Sequence, residues 1–127
     1  MIKVPLNKSP KYNTSLNPKY NTAINPKYNT AINPQYNRTI NPNSNLAFAG
    51  YFLYSLNMDP LEFLVVKDNI IIFFNDKLET QKFGVKNIKN GFALFDYQLN
   101  NIGHLESNLV NGYNYFDLES NWIGFLV

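Results

Sequence analysis

The sequence predicts a mainly β protein, in which a small antiparallel domain of β-hairpins (a meander) follows an arm of short tandem repeats. Three observations support this fold class: an eight-residue unit recurs near the start, the composition turns apolar and aromatic after position 45, and a 21-residue unit recurs near the end. With 127 residues, 45% of them hydrophobic, the chain can bury a core. The predicted division is a basic octapeptide-repeat segment, residues 1–45, and an acidic, aromatic-rich β domain, residues 46–127.

The repeat segment contains four octads between Pro10 and Asn41, reading PKYNTSLN, PKYNTAIN, PKYNTAIN and PQYNRTIN, and then a broken fifth. Each Asn-Pro pair marks a turn, because proline presets φ and the Asn side chain can bond to the backbone ahead of it. A proline in every octad excludes an α-helix. Three forms stay open: an ordered, extended arm packed on another surface, a solenoid, or a disordered tail.

The candidate interaction residues of the arm are the tyrosine and the aliphatic residue of every octad and the lysine of three octads. In an extended segment, residues four apart share a face, so the tyrosine and the aliphatic residue of an octad are expected to be buried together. The tyrosines are Tyr12, Tyr20, Tyr28 and Tyr36, the aliphatic residues are Leu16, Ile24, Ile32 and Ile40, and the lysines are Lys11, Lys19 and Lys27.

The two parts of the chain carry opposite charge. Residues 1–45 have a net charge of +6 with no Asp or Glu, whereas residues 46–127 have a net charge of −4. We therefore expect the arm to dock on the β domain of its own chain or of a neighbouring copy, where it could cover strand edges. Docking on a neighbour would build a homo-oligomer or a filament.

The octads also allow two other interpretations. Lysine beside tyrosine is suited to a polyanion such as single-stranded nucleic acid, with lysine on phosphates and tyrosine stacked on bases. The run from Asn17 to Tyr20 matches the NPxY turn that phosphotyrosine-binding domains recognise by strand addition.

The β domain begins with an apolar stretch at 46–56, which is short enough to be strand or helix. Strands are predicted at 62–67 and 70–75 from β-branched and aromatic residues. They are expected to pair as a hairpin through Lys67, Asp68 and Asn69.

A second repeat lies at the end of the chain, in units 91–105 and 112–126. A shift of 21 positions aligns GFALFD with GYNYFD, and NNIGHL with NWIGFL. Each unit is predicted to be a hairpin with an aspartate in its turn. Residues 70–90 could be a degraded earlier copy, with Phe74-Asn75 in place of Phe-Asp and Gly84 near the second glycine, although they fit the pattern poorly. The pattern G-x-x-x-F-D-x-x-x-N-x-I-G-x-L resembles the YD-type and WG-type β-repeats of bacterial surface and toxin-shell proteins, over about residues 70–127. That resemblance implies β architecture with a scaffold or binding role and brings no catalytic residue.

Catalytic chemistry has little support in the sequence. The only histidine, His104, takes the place of Phe125 in the repeat, which indicates a packing position. Asp96 and Asp117 could form an acid–base pair, but an aspartate that starts a turn and accepts backbone N–H bonds explains both. Together with Tyr115 and Trp122 they are the candidate interaction residues of the β domain, and its exposed aromatics could bind carbohydrate. No catalytic residue, metal site or cofactor is predicted, and the chain is not expected to be an enzyme.

The sequence thus favours a non-catalytic structural or interaction protein, whose partner is itself or another protein. The alternative is a module that binds a polyanion, with nucleic acid the less favoured partner, or carbohydrate. Without a signal-peptide core, cysteine or apolar run of membrane-spanning length, we expect a cytoplasmic protein.

Overall fold

The structure is a computed structural model that describes residues 6–45, 48, 50–87 and 90–127. It is mainly β, and eight antiparallel strands form a closed barrel. Strands β1 to β8 span Tyr51–Ser55, Pro60–Lys67, Ile70–Phe74, Thr80–Lys86, Phe92–Phe95, Asn101–Ser107, Tyr113–Asp117 and Trp122–Leu126. Each strand pairs with the next, and β8 pairs with β1. Every strand of this barrel therefore has a partner on both sides, and the expectation of free strand edges for the arm to cover is wrong.

The strands predicted around positions 62–75 are present. The structure extends the first to Pro60–Lys67 and ends the second at Phe74. They form the predicted hairpin, in which Lys67 pairs with Ile70 and Asp68 has the positive φ, 55°, that a tight turn requires. The apolar stretch at 46–56 contains β1, although positions 46, 47 and 49 lie outside the described residues.

Four hairpins of the barrel share one turn design. In each, the last residue of the first strand or the residue directly after it accepts backbone N–H bonds from the residues two and four positions ahead. The residue three positions ahead has a positive φ. The accepting residues are Ser55, Asn75, Asp96 and Asp117, and those with positive φ are Met58, Leu78, Leu99 and Ser120. The hairpin with this turn therefore has two counterparts beyond the two clear units. One is β3–β4, within the residues 70–90 considered as a degraded copy, and the other is β1–β2, which the sequence did not suggest.

These four turns lie at the same end of the barrel, because alternate connections of an up-and-down barrel share an end. We call this end the rim, and the opposite end, where β2–β3, β4–β5 and β6–β7 connect, the mouth. The interior near the rim is filled by an ion pair, in which Lys82 Nζ lies 2.7 Å from Glu62 Oε1. The same ammonium lies 5.0 Å from the Phe73 ring centroid and 5.8 Å from that of Tyr115. This part of the barrel is a packed core.

The middle of the interior is apolar. Buried side chains from six strands meet there in one cluster, formed by Leu53, Leu64, Ile71, Phe73, Phe92, Leu94, Leu105 and Leu126. Residues between them along the same strands face outward, since side chains alternate across a strand. Most outward residues of β2 to β5 are also buried, and in β3 both faces are buried. Something must therefore cover the outer face of these strands.

The octads provide that cover. Ile24 and Ile32 are only 4% and 5% exposed and belong to the same apolar cluster as the outward side chains Phe63, Ile72 and Phe83. Leu16 and Ile40 pack against the edge of this cluster. Burial of two full isoleucine side chains contributes a few kcal/mol, about 2–3 for each.

Candidate interaction surface

The tyrosines of the octads form an exposed stripe. Their side chains are 62% to 70% exposed, whereas the isoleucines of the middle octads are buried. The expectation that tyrosine and aliphatic residue share a buried face is therefore wrong. It assumed an extended chain, but each octad makes two turns, so that residues four apart point in different directions.

One of those turns is a 3-10 helix. Short 3-10 helices occur at Leu6–Lys8, Thr14–Leu16, Thr22–Ile24, Thr30–Ile32 and Arg38–Ile40. In the third octad the Asn29 side chain caps the helix by accepting the N–H of Ala31 at 3.1 Å, and its Nδ2 donates to the carbonyl of Ala23 at 2.8 Å in the preceding octad. Asn33 closes the next turn in the same way, since its Oδ1 accepts the N–H of Gln35.

Both asparagines of an octad thus bind the turn ahead, and both also bond backward along the chain. The first reaches the preceding octad, and the second reaches the proline that begins its own octad. The back-reaching bonds recur from Asn21, Asn29, Asn37 and Asn45 to carbonyls six residues earlier, and from Asn25, Asn33 and Asn41 to proline carbonyls seven residues earlier. Sequence reasoning treated these asparagines only as turn residues. Their recurrence at two fixed positions per octad was the signal for this ladder.

Lysines accompany the tyrosine stripe. Lys19 Nζ lies 5.8 Å from the ring centroid of Tyr20, and Lys27 Nζ lies 5.6 Å from that of Tyr28, within the range of a cation–π contact. Lys11 is exposed in the same position of the first octad, and Gln35 replaces lysine in the fourth. We call this surface, with one exposed tyrosine per octad and a lysine in three, the Lys-Tyr stripe.

Two clefts separate the octads from the rim of the barrel. The larger, about 430 Å³, lies between the turns at Pro26 and Gln35 and the β3–β4 turn at Glu79. The smaller, about 250 Å³, places Lys19 and Lys27 near Tyr97. Burial raises the pKa of Tyr97, and a hydrogen bond with Thr80 partly opposes that shift.

The rim is acidic. Its four turns contain Asp59, Asp76, Glu79, Asp96, Asp117 and Glu119, and a single lysine, Lys77. Asp96 and Asp117 start their turns and accept backbone N–H bonds, as the sequence predicted. Hydrogen bonds from the backbone and side chain of Asn121 lower the pKa of Asp117 below its ordinary value. This carboxylate therefore stays charged to lower pH than an ordinary aspartate.

The other residues of the β domain that the sequence singled out lie apart from one another. Tyr115 packs against the barrel interior, where burial, and then the charge of Glu62, raise its pKa. Trp122 is 51% exposed on β8. His104 is a packing residue, as expected: its ring stacks on Phe116 at 5.0 Å between centroids, and its Nε2 lies 3.5 Å from Glu106. These positions form no shared site.

Within the described ranges, no group of three Asp, Glu or His side chains is placed to hold a metal ion. Nor does that part of the chain contain a helix that is long and apolar enough to cross a membrane. No family model, curated protein or solved structure matches this chain.

Proposed function

We propose that this chain is a non-catalytic structural protein that assembles with copies of itself. In this proposal the octads form a turn-rich, solenoid-like arm that is anchored on the barrel of the same chain. The Lys-Tyr stripe of one copy then binds the acidic rim of the next. The observation that carries the proposal is the division of the octads into a buried isoleucine side and an exposed, regularly spaced Lys-Tyr side.

The buried side supports the anchoring step. Ile24 and Ile32 contact outward residues of the same chain's barrel, so the apolar side of the arm is already occupied. The side that is left for a partner is polar, aromatic and basic. Such a surface favours a partner of opposite charge.

The rim supplies that charge. Six acidic residues and one lysine lie in its four turns, against no acidic residue in the octads. Asp59, Asp76 and Glu119 are exposed, and their carboxylates form no ion pair with any of the residues that the structure describes. Because stripe and rim are different surfaces, the contact is head-to-tail, and it yields rings if it closes and filaments if it does not.

A charge-swap experiment on the full chain tests the proposal. The stripe variant carries Lys11→Glu, Lys19→Glu and Lys27→Glu, and the rim variant carries Asp59→Lys, Asp76→Lys and Glu119→Lys, which leave the turn-forming aspartates intact. Size-exclusion chromatography with light scattering at low salt measures the mass. We expect an oligomer for the unchanged chain and monomers for each variant alone.

Mixing the two variants should restore assembly, because the glutamates on the stripe of one variant can then bind the lysines on the rim of the other. Assembly of the unchanged chain should weaken above about 0.5 M salt, where screening is strong. A monomer at all concentrations of the unchanged chain, or assembly that both variants retain, would overturn the proposal.

Binding of a polyanion is the second candidate, and the exposed tyrosines favour it. Rings that are more than 60% exposed beside lysines can stack on unpaired bases. Fluorescence anisotropy with a labelled single-stranded oligonucleotide distinguishes the two functions. Polyanion binding would be lost in the stripe variant and kept in the rim variant, whereas self-assembly is lost in both.

A further inference from the structure

The mouth of the barrel differs from the rim end in how it is filled. At the rim end the interior holds the Glu62–Lys82 pair. At the mouth, the last interior layer comes from β1, β3, β5 and β7, and consists of Tyr51, Ile71, Phe92 and Tyr113, which pair with Leu64, Gly84, Leu105 and Leu126 on the neighbouring strands. A cavity of about 190 Å³ lies at this layer.

The cavity opens to solvent. Val66 alternates with Leu64 along β2 and therefore faces the inside of the barrel, yet it is 52% exposed. Apolar side chains that face the inside of a closed barrel are normally buried, as Leu64 is at 0%. A second cavity of about 320 Å³ shares Tyr51, Lys86 and Tyr113 with the first, so the space continues outward from the mouth.

The lining of the cavity is apolar on the side of the barrel interior and polar on the side of the mouth. Leu64, Ile71 and Leu126 are 0% to 2% exposed and form the floor. The Tyr51 and Tyr113 rings meet edge to face, with 5.6 Å between their centroids. A few polar groups above an apolar floor are the usual arrangement of a small-molecule site.

The charged groups at the mouth favour an anion. Lys86 lines both cavities. Asp68 is the acidic residue of the inner lining, and its carboxylate lies 3.6 Å from Lys67 Nζ. Lys86 forms no ion pair with the residues that the structure describes. An ammonium and two phenol groups can together bind the two oxygens of a carboxylate.

We propose that the mouth of the barrel binds a small organic carboxylate, with its apolar body on Leu64, Ile71 and Leu126 and its carboxylate at Lys86, Tyr51 and Tyr113. This site is independent of the stripe and the rim. The cavity volume limits the apolar body to about the size of one aromatic ring. A ligand of that size is expected to bind with a Kd of about 1 mM.

The test is an NMR titration of the full chain with benzoate, and with benzyl alcohol as a neutral probe of similar shape. Benzoate should shift the amides of Ile71, Phe92 and Leu126 in a saturable way. In Lys86→Met, which keeps an apolar side chain at this exposed position, benzoate should bind about tenfold more weakly while benzyl alcohol is unaffected. Lys77→Met, at the rim, is the matched control and should bind both probes as the unchanged chain does.

A second variant tests the cavity itself. Val66→Phe should close the mouth and abolish the shifts from both probes, and a thermal melt checks that the variant is folded. Absence of saturable shifts at the mouth amides of the unchanged chain would refute the proposal. So would equal affinity for benzoate in Lys86→Met and the unchanged chain.

Discussion

Ile24→Ala tests whether the octads and the barrel unfold as one unit. Ile24 is 4% exposed and packs in the outer cluster of the barrel. The substitution removes three carbon atoms, worth about 0.8 kcal/mol each by transfer, and leaves a cavity that raises the loss to about 3 kcal/mol. With an m value of about 2 kcal/mol per M, the midpoint of urea unfolding should fall by about 1.5 M.

The assay is the fluorescence of Trp122, the only tryptophan of the chain, which lies in β8 and reports unfolding of the barrel. Tyr20→Ala is the matched control, because it removes a larger side chain from the same octad on the exposed side, and we expect a change within about 0.5 kcal/mol. If Ile24→Ala leaves the Trp122 midpoint where it was, the octads are not part of the cooperative unit of the barrel and the reasoning fails.

Three further sets of substitutions each test one interaction. Replacing either Glu62 by Gln or Lys82 by Met leaves one charge unpaired inside the barrel, and the free energy of unfolding measured in urea should fall by about 3 kcal/mol. Replacing both residues by Leu should recover most of that loss. A single substitution that leaves the free energy of unfolding unchanged would contradict the pairing. Asn29→Ala removes a helix cap and one hydrogen bond of the asparagine ladder, so it should lower the free energy of unfolding by about 1–2 kcal/mol. Asn29→Ser keeps a hydrogen-bond acceptor at the cap and should lower it by less. Equal losses in the two variants would show that the cap is unimportant. The pKa of Asp117 is lowered in the folded state, so its contribution to stability is present above the unfolded pKa of about 4 and is lost as pH falls through the folded value. Thermal melts should therefore show a smaller loss on acidification for Asp117→Asn than for the unchanged chain, and parallel curves would exclude this linkage.

Local features of the fold could be predicted from the sequence. The hairpin at Lys67 to Ile70 and the turns at Asp96 and Asp117 follow from residue types that accept backbone bonds or tolerate positive φ. Such turns depend on a few adjacent residues, so their chemistry is visible in a short stretch of sequence.

Closure of the barrel could not be predicted in this way. It depends on pairs such as Leu53 with Leu126, which are far apart in the chain and carry no local mark. The hairpins β1–β2 and β3–β4 were also hard to recognise as copies of the later units, because other residues replace the glycine of the repeat. Glu62 and Lys82 occupy interior positions where later units have glycine, and Gly103 is required there because a Cβ atom would lie 2.4 Å from the carbonyl oxygen of Phe116.

The positions of the octad side chains were missed for a related reason. The spacing of Tyr20 and Ile24 predicts one face only if the chain is extended, and a three-residue 3-10 helix produces no periodic apolar pattern that would reveal it. The lysine and tyrosine residues were singled out from the sequence as candidate interaction residues, together with the isoleucines. Their separation from the isoleucines became visible only with the turns in place. Which partner they bind stays a prediction.

The number of octads is constrained by the barrel as well as by the repeat. The asparagine ladder is the same from octad to octad, so another unit could be added without changing its hydrogen bonds. The apolar side is not equally extensible, because Ile24 and Ile32 are fully covered while Leu16 and Ile40, one octad to either side, are only partly buried. An added octad would lie beyond this cover and expose its isoleucine to water, at a cost of about 2 kcal/mol relative to a buried position. The width of the barrel face therefore limits how many octads one chain can anchor, and a longer arm would need a second barrel to cover it.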